Sequence, residues 1–167
     1  MKIFLKELSE KNISAEYIKW LNSEYVNRYT EQRFFKHSFK TVRDYVLKKK
    51  KSNSEFLYGI FVKDKKIHVG NIKLGPINKI HKTAYISYFI GSDKYRSKGI
   101  MSEAFNKIFK LAKKKFKLKK IQAGIYEKNI SSKKLLQKNN FKLEGIFLSQ
   151  IVYKKKRYKK LVYGKIL

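Results

Sequence analysis

The stretch Tyr95-Arg96-Ser97-Lys98-Gly99-Ile100-Met101-Ser102 constrains this chain more than any other. It lies between a strand-like run, Ala84 to Gly91, and a run with helical spacing, Gly99 to Phe116. A glycine turn that opens a helix brings unpaired backbone N–H groups and the positive end of the helix dipole to one point. Such a point suits a phosphate or pyrophosphate.

The surrounding pattern is α/β. Residues 2–8 read as a first strand, and Ser14 as the cap of a helix whose apolar face includes Tyr17, Ile18 and Leu21. A short helical piece follows over Ser23–Arg28, then a loop, Thr30 to His37. Thr41 with Asp44 three residues on resembles a capping box that opens a helix reaching Lys50. Glu55–Val62 and Lys66–Leu74 read as strands joined by the polar turn Lys63-Asp64-Lys65, and Gly75-Pro76-Ile77-Asn78 as a turn. In His81–Ser92, a third strand, Tyr85, Ser87 and Phe89 share one face, and Ile86, Tyr88 and Ile90 the other. After the helix come a strand over Lys120–Ile125, a helix over Ser131–Lys138 and two closing strands, about Lys142–Tyr153 and Tyr158–Ile166. The whole of residues 1–167 reads as a single domain, with no repeat and no linker.

Cysteine is absent, which excludes disulfides, a thiolate nucleophile and thiolate zinc sites, and fits a cytoplasmic protein. No apolar run approaches the roughly 20 residues that span a bilayer. The formal net charge is +30, yet only 5 of the 42 basic residues are arginine. Nucleic-acid readers lean on the bidentate arginine fork, so the excess of lysine reads as bias more than as a nucleic-acid surface. A field of this sign still attracts any anionic substrate.

The layout and its turn resemble the GNAT N-acetyltransferase superfamily, especially its RimJ/RimL-type branch. The family's acetyl-CoA signature is Arg or Gln, two residues, Gly, one residue, Gly or Ala. It is matched by Arg96-Ser97-Lys98-Gly99-Ile100-Met101, with Met101 replacing the last small residue. A second element is Asn129-Ile130-Ser131-Ser132 followed by Lys138-Asn139-Asn140-Phe141, where Asn140 replaces the usual glycine. The resemblance implies a mixed, mostly antiparallel central sheet flanked by helices and splayed where acetyl-CoA binds. It implies acetyl-CoA as co-substrate, no metal, no membrane and a small-molecule amine as acceptor. The run Glu31-Gln32-Arg33-Phe34, with Asn71 to Asn78 downstream, looks like GNAT enzymes of surface-sugar biosynthesis. That points to the amine of a nucleotide-linked amino sugar. The paired final strands offer an edge for a homodimer.

The same resemblance assigns roles. Arg96, Ser97, Lys98, Gly99, Ile100, Met101 and Ser102 would cradle the pyrophosphate, while Phe89, Ile90, Gly91 and Asn129 would meet the pantetheine arm. Asn129 can also serve as a helix N-cap. Gln32, Arg33, Phe34 and Tyr85 would contact the acceptor. Many relatives carry a Tyr that protonates the leaving thiolate where this chain has Leu136, which leaves Ser132 as a candidate donor. For the general base, His81, Glu31, His37, Tyr85 and a water relay all stand open. Rival readings are an acetyltransferase of protein N-termini or polyamines, a basic nucleic-acid-binding module, and a CoA sensor without turnover.

Overall fold

The computed structural model of the chain describes residues 2–64 and 66–167; Lys65, expected in the first hairpin turn, lies outside them. The strands are β1 (Ile3–Glu7), β2 (Phe56–Val62), β3 (Ile67–Asn78), β4 (Thr83–Ile90), β5 (Lys120–Tyr126), β6 (Lys142–Tyr153) and β7 (Lys156–Ile166). They form one sheet in the order β1-β2-β3-β4-β5-β7-β6. Every pairing is antiparallel except that of β4 with β5. The helices are α1 (Ala15–Asn22), α2 (Glu24–Asn27), α3 (Phe39–Lys50), α4 (Ile100–Lys114) and α5 (Ile130–Lys138).

Alternation along the strands builds two cores. Ala84 and Ile86 of β4, with Ile121, Ala123 and Ile125 of β5, pack under Ile100, Ala104, Phe105, Ile108 and Ala112 of α4. Leu136 of α5 and Phe141 close this core at one end. Phe105 is fully buried, and truncating such a residue typically costs about 3–5 kcal/mol, so the position of α4 on the sheet is firmly held. On the other face, Leu57 and Phe61 of β2 meet Tyr17, Trp20 and Leu21 of α1 and Val42 and Val46 of α3.

Two local expectations are corrected. The capping box of α3 is formed by Ser38 and Thr41, not by Thr41 and Asp44, so the helix starts at Phe39. Thr41 Oγ1 accepts from Ser38 N at 2.9 Å, and Ser38 Oγ accepts from Thr41 N at 3.3 Å. Gly75-Pro76-Ile77-Asn78 is no turn. It continues β3 through an irregularity in which the register with β4 shifts between Leu74 and Ile77. Proline lacks an N–H for the ladder, and a bulge is where a strand tolerates one. Gly75 there has φ +121, and a Cβ on it would fall 2.3 Å from the Ser54 carbonyl.

The parallel pairing of β4 with β5 covers only Thr83, Ala84 and Tyr85, opposite Lys120, Ile121 and Gln122. Beyond Tyr85 the strands part. β5 stays paired along its whole length with β7, while β4 stays paired with β3 up to Ile90. A wedge therefore opens in the middle of the sheet, as the resemblance implies. No helix of the described residues is long and apolar enough to cross a membrane.

His68 is half-buried against the second core. Its ring stacks on Phe61 at 4.9 Å and meets the edges of Tyr17 and Trp20 at 5.3 and 5.2 Å. Nε2 lies 2.7 Å from Asn71 Oδ1 and 3.0 Å from the Gly70 carbonyl, two acceptors that place the ring proton on Nε2. Burial pushes the His68 pKa down, against the opposing pull of the bonds to Asn71 and Gly70. A folded pKa below the unfolded value of about 6.5 means that the unfolded chain takes up the proton first. Stability should therefore be intact above pH ~6.5 and fall as the pH drops below it. Glu55 titrates in a lower window: burial would raise it, but hydrogen bonds from Lys49 and Lys73 outweigh burial and lower its pKa. Urea unfolding across pH 5 to 7.5 should show the His68 slope, and His68→Gln should flatten it.

Candidate active site

The turn before α4 is held by the Arg96 side chain. Its Nε donates to the Ile90 carbonyl at 3.1 Å and its Nη2 to the Gly91 carbonyl at 2.8 Å. Nη1 pairs with Asp93, and the guanidinium lies 4.4 Å from the centroid of the Tyr25 ring. Arg96 is thus engaged in closing the loop that links β4 to α4. Ser97 and Gly99 both take left-handed backbone, with φ +57 and +74. Gly99 is the N-cap of α4, and a Cβ there would meet nothing within 4 Å. What the position requires is conformation, not space.

The first helical bond of α4 runs from Glu103 N to the Gly99 carbonyl at 3.1 Å. The N–H groups of Ile100, Met101 and Ser102 precede it and lie in the unpaired first turn. The side chains of Ile100 and Met101 are buried in the core, so their contribution to a site is backbone only. Ser97 and Lys98 are exposed. Ser102 Oγ accepts from Asn139 Nδ2 at 3.2 Å and so ties α4 to α5.

The wedge opens at this helix terminus. Phe89 and Ile90 lie at its β4 wall, and Gly91 N donates to the Val69 carbonyl at 2.9 Å. Gly91 also lies against Trp20: a Cβ on it would sit 2.0 Å from the indole. At the far side, Asn129 caps α5, its Oδ1 accepting from Ser132 N at 3.2 Å and from Ser131 Oγ at 3.1 Å. Asn140 ends the helix with φ +62, the left-handed conformation that asparagine tolerates. Tyr88, on the face of β4 toward α4, packs edge-on against Phe105 at 4.8 Å. Its hydroxyl is buried and makes no hydrogen bond of good geometry.

A second cluster stands where β5 ends. The Tyr126 hydroxyl donates to Glu31 Oε1 at 2.6 Å, and Arg33 Nη1 donates to the same hydroxyl. Arg33 also donates to the carbonyls of Thr30 and Val152, each at 2.7 Å, and covers the Phe34 ring at 4.2 Å. It fastens the Glu31–Phe34 turn to β5 and β6. Burial pushes the Tyr126 phenol up to about 12, with Glu31 adding to the shift and Arg33 opposing it. Phe34 and Phe35 are exposed, 61% and 65%, and line a groove of about 390 Å³ with Asn22, Glu24, Asn27 and Lys36. The Gln32 carbonyl meets His37 Nε2 at 3.2 Å. Tyr85 is the last β4 residue paired with β5 and is exposed on the face away from α4. His81 lies two residues before β4, at the opposite end of that strand from the wedge; its N donates to Asn78 Oδ1 at 2.9 Å. The structure brings Glu31, Arg33 and Phe34 together, brings Ser132 and Asn129 together, and leaves His81 apart from both groups.

Residues 2–142 match the acetyltransferase (GNAT) domain. The chain belongs to the GNAT acetyltransferase family. "Probable N-acetyltransferase YjcK" of Bacillus subtilis is 35% identical over 96 residues, 56% of this chain. This chain spans about half (52%) of the length of that relative. A structure of RimL, a ribosomal L7/L12 alpha-N-protein acetyltransferase in complex with coenzyme A, superposes with TM-score 0.90 at 18% identity, covering 100% of this chain and 95% of that one. A spermidine N-acetyltransferase from Vibrio cholerae, in complex with CoA and spermine, gives 0.87 at 18% identity over 98% of this chain and 95% of that one. At such identities these likenesses concern the fold. GNAT acetyltransferases use acetyl-CoA, and the residues of this chain fit it: unpaired N–H groups for a pyrophosphate, and a wedge with one-sided strand pairing for an extended arm.

Sequence reasoning passed over Trp20, Tyr88 and Tyr126 as site residues. Each is an aromatic residue in an apolar pattern, and nothing in its spacing separates it from core. At Gly99, valine should disfavour the left-handed cap by roughly 1–3 kcal/mol, whereas asparagine tolerates it. Calorimetry should show CoA affinity falling about tenfold or more in Gly99→Val and by much less in Gly99→Asn.

Proposed function

We propose that this chain is an acetyl-CoA-dependent N-acetyltransferase whose acceptor is the primary amine of a nucleotide-linked amino sugar. The observation that carries the transferase reading is the wedge between β4 and β5, which opens onto the N-terminus of α4. One end holds anionic groups through backbone N–H donors; the other admits a thioester between separated strands. The amine attacks the thioester directly, since there is no cysteine to carry an acyl group. Holding amine and thioester side by side supplies much of the rate, and a backbone N–H at the wedge supports the oxyanion.

The anionic acceptor is supported by the net charge of +30 and by the exposed rings of Phe34 and Phe35 beside the groove. Such rings stack on a base or sugar face. Arg33 is committed to Thr30, Tyr126 and Val152, so recognition of a diphosphate falls to lysines such as Lys36 at the groove and not to its guanidinium. In this reading Glu31, hydrogen-bonded to Tyr126, takes up the proton of the attacking ammonium, directly or through water.

One observation favours a second reading. Glu24 and Glu31 stand at or beside the same groove, and carboxylates suit a cationic acceptor such as a polyamine or a protein N-terminus. The spermidine and ribosomal-protein acetyltransferases of the same fold act on such amines. The overall positive field opposes a polycation. A screen of thiol release from acetyl-CoA decides between them. An amino-sugar nucleotide should exceed spermidine and an N-terminal peptide by about tenfold or more in kcat/KM. The reverse order would replace the acceptor assigned here. Glu31→Gln should lower kcat by roughly 100-fold with acetyl-CoA binding unchanged.

A further inference from the structure

The sheet has two edges, β1 and β6, and they are built differently. β1 is five residues long and ends in exposed Lys6 and Glu7, which is how a protein blunts an edge. β6 is twelve residues long, and Ile151 is its one buried residue. Leu143, Ile146, Phe147, Leu148 and Val152 all stand exposed along it, Leu148 by 72%. The register with β7 shifts between Phe147 and Ile151, and Ser149 takes φ +51 in that irregularity. Leu143 and Ile146 also line a groove of about 590 Å³ beside α5, together with Phe141, Leu161 and Tyr163. Charge marks the same strand. The chain has 42 basic residues, yet none falls between Lys142 and Lys154. Only two other stretches run 11 residues without lysine or arginine, Ser52–Val62 and Thr83–Asp93. Those two hold β2 and β4, each with a neighbour on both sides. β6 has the composition of such an interior strand and a neighbour on one side only.

We propose that the free edge of β6 pairs antiparallel with β6 of a second copy of this chain, across a two-fold axis near Phe147 and Leu148. Assembly of this kind is independent of the acetyl-group chemistry. Three features select a second copy as the occupant. An edge strand is its own antiparallel complement, since under a two-fold axis the free N–H and C=O groups of each copy meet those of the other. Between chains of formal net charge +30, close contact is tolerable only where cations are absent, and Leu143 to Tyr153 carries none. The one carboxylate of that run, Glu144, is paired with Lys120 at 2.8 Å, so the strand offers no free charge to an acidic or basic partner. A polyanion would be drawn to the lysines elsewhere on the surface. Lysine is a usual guard of an exposed edge, and a chain rich in lysine places none here. Pairing takes a row of five apolar side chains out of water and closes the open side of the groove, where Leu143 and Ile146 stand.

The test is sedimentation equilibrium of the native chain and of two variants that add the same charge. The native chain should sediment as a dimer at both about 0.15 M and about 1 M salt, because screening relieves repulsion between the copies while apolar contact persists. Leu148→Lys sets a cation at the axis and should raise the dimer dissociation constant by about thirtyfold or more. Ile80→Lys adds the same charge in the turn between β3 and β4, at a residue 87% exposed, and should change that constant by less than about threefold. Hydrogen exchange of the native chain gives a measurement that needs no variant: amides of β6 should slow as the concentration rises through the dissociation constant. A native chain that stays monomeric at about 100 μM would overturn the assignment. Equal weakening by the two variants would do the same, since net charge and not the strand would then govern association. A dimer that falls apart in 1 M salt would mark a bridging polyanion, and a dimer whose β6 amides exchange as fast as in the monomer would place the contact elsewhere. Either result would overturn the pairing.

Discussion

Everything distinctive in this molecule depends on where two parallel strands stop pairing. β4 and β5 share three residue pairs and then separate, because each is held more extensively by its outer neighbour. The antiparallel ladders of β3 with β4 and of β5 with β7 fix the two halves of the sheet, and twist carries the halves apart. Backbone groups on the inner edge of β4 are thereby left for something other than a strand. In an ordinary sheet that would be an edge liability; here the edge faces inward, toward β5.

The helix at the wedge is placed by packing and terminated by backbone chemistry. The apolar face of α4 sits on the strands of both halves, so its N-terminus cannot drift from the wedge. Arg96 draws the carbonyls of Ile90 and Gly91 toward the turn, and Gly99 supplies the left-handed residue that lets the helix begin there. The signature arginine of the turn therefore acts here through architecture. Its charge is met by Asp93 and by the Tyr25 ring, so the groups left free at the turn are N–H donors of the first turn of α4, which carry no sequence signal of their own. Tyr126, Glu31 and Arg33 do the corresponding job for the Glu31–Phe34 turn. They join three segments that are distant in the chain into one wall.

Much of this was legible in the chain. The helical period from Gly99 and the alternation of Ala84–Ile90 depend only on local geometry and hold to within a residue or two. Asn129 does what its residue type favours, capping α5, and Asn140 takes the left-handed conformation that asparagine tolerates. The misreadings are also local. A Gly-Pro pair looks like a turn until the partner strand shows that it is a bulge, and Thr41 looks like a cap until Ser38 is seen to accept the Thr41 N–H, which puts Thr41 inside the helix. His81 has the residue type of a general base, and residue type says nothing about position. It falls at the end of β4 away from the wedge.

What the sequence by itself determined is the set of elements, their faces, and the glycine turn that opens α4. These follow from periodicity, from capping chemistry and from the few residues that accept positive φ, all of which act within a few positions of the chain. What only the tertiary structure decided is which groups are left without a partner. The unpaired edge of β4, the orphan hydroxyl of Tyr88 and the engagement of Arg33 with Tyr126 and Val152 each depend on contacts between segments up to 119 residues apart. Hydrogen-bond satisfaction is a property of the packed whole, and no pattern within a few positions of the chain can show it.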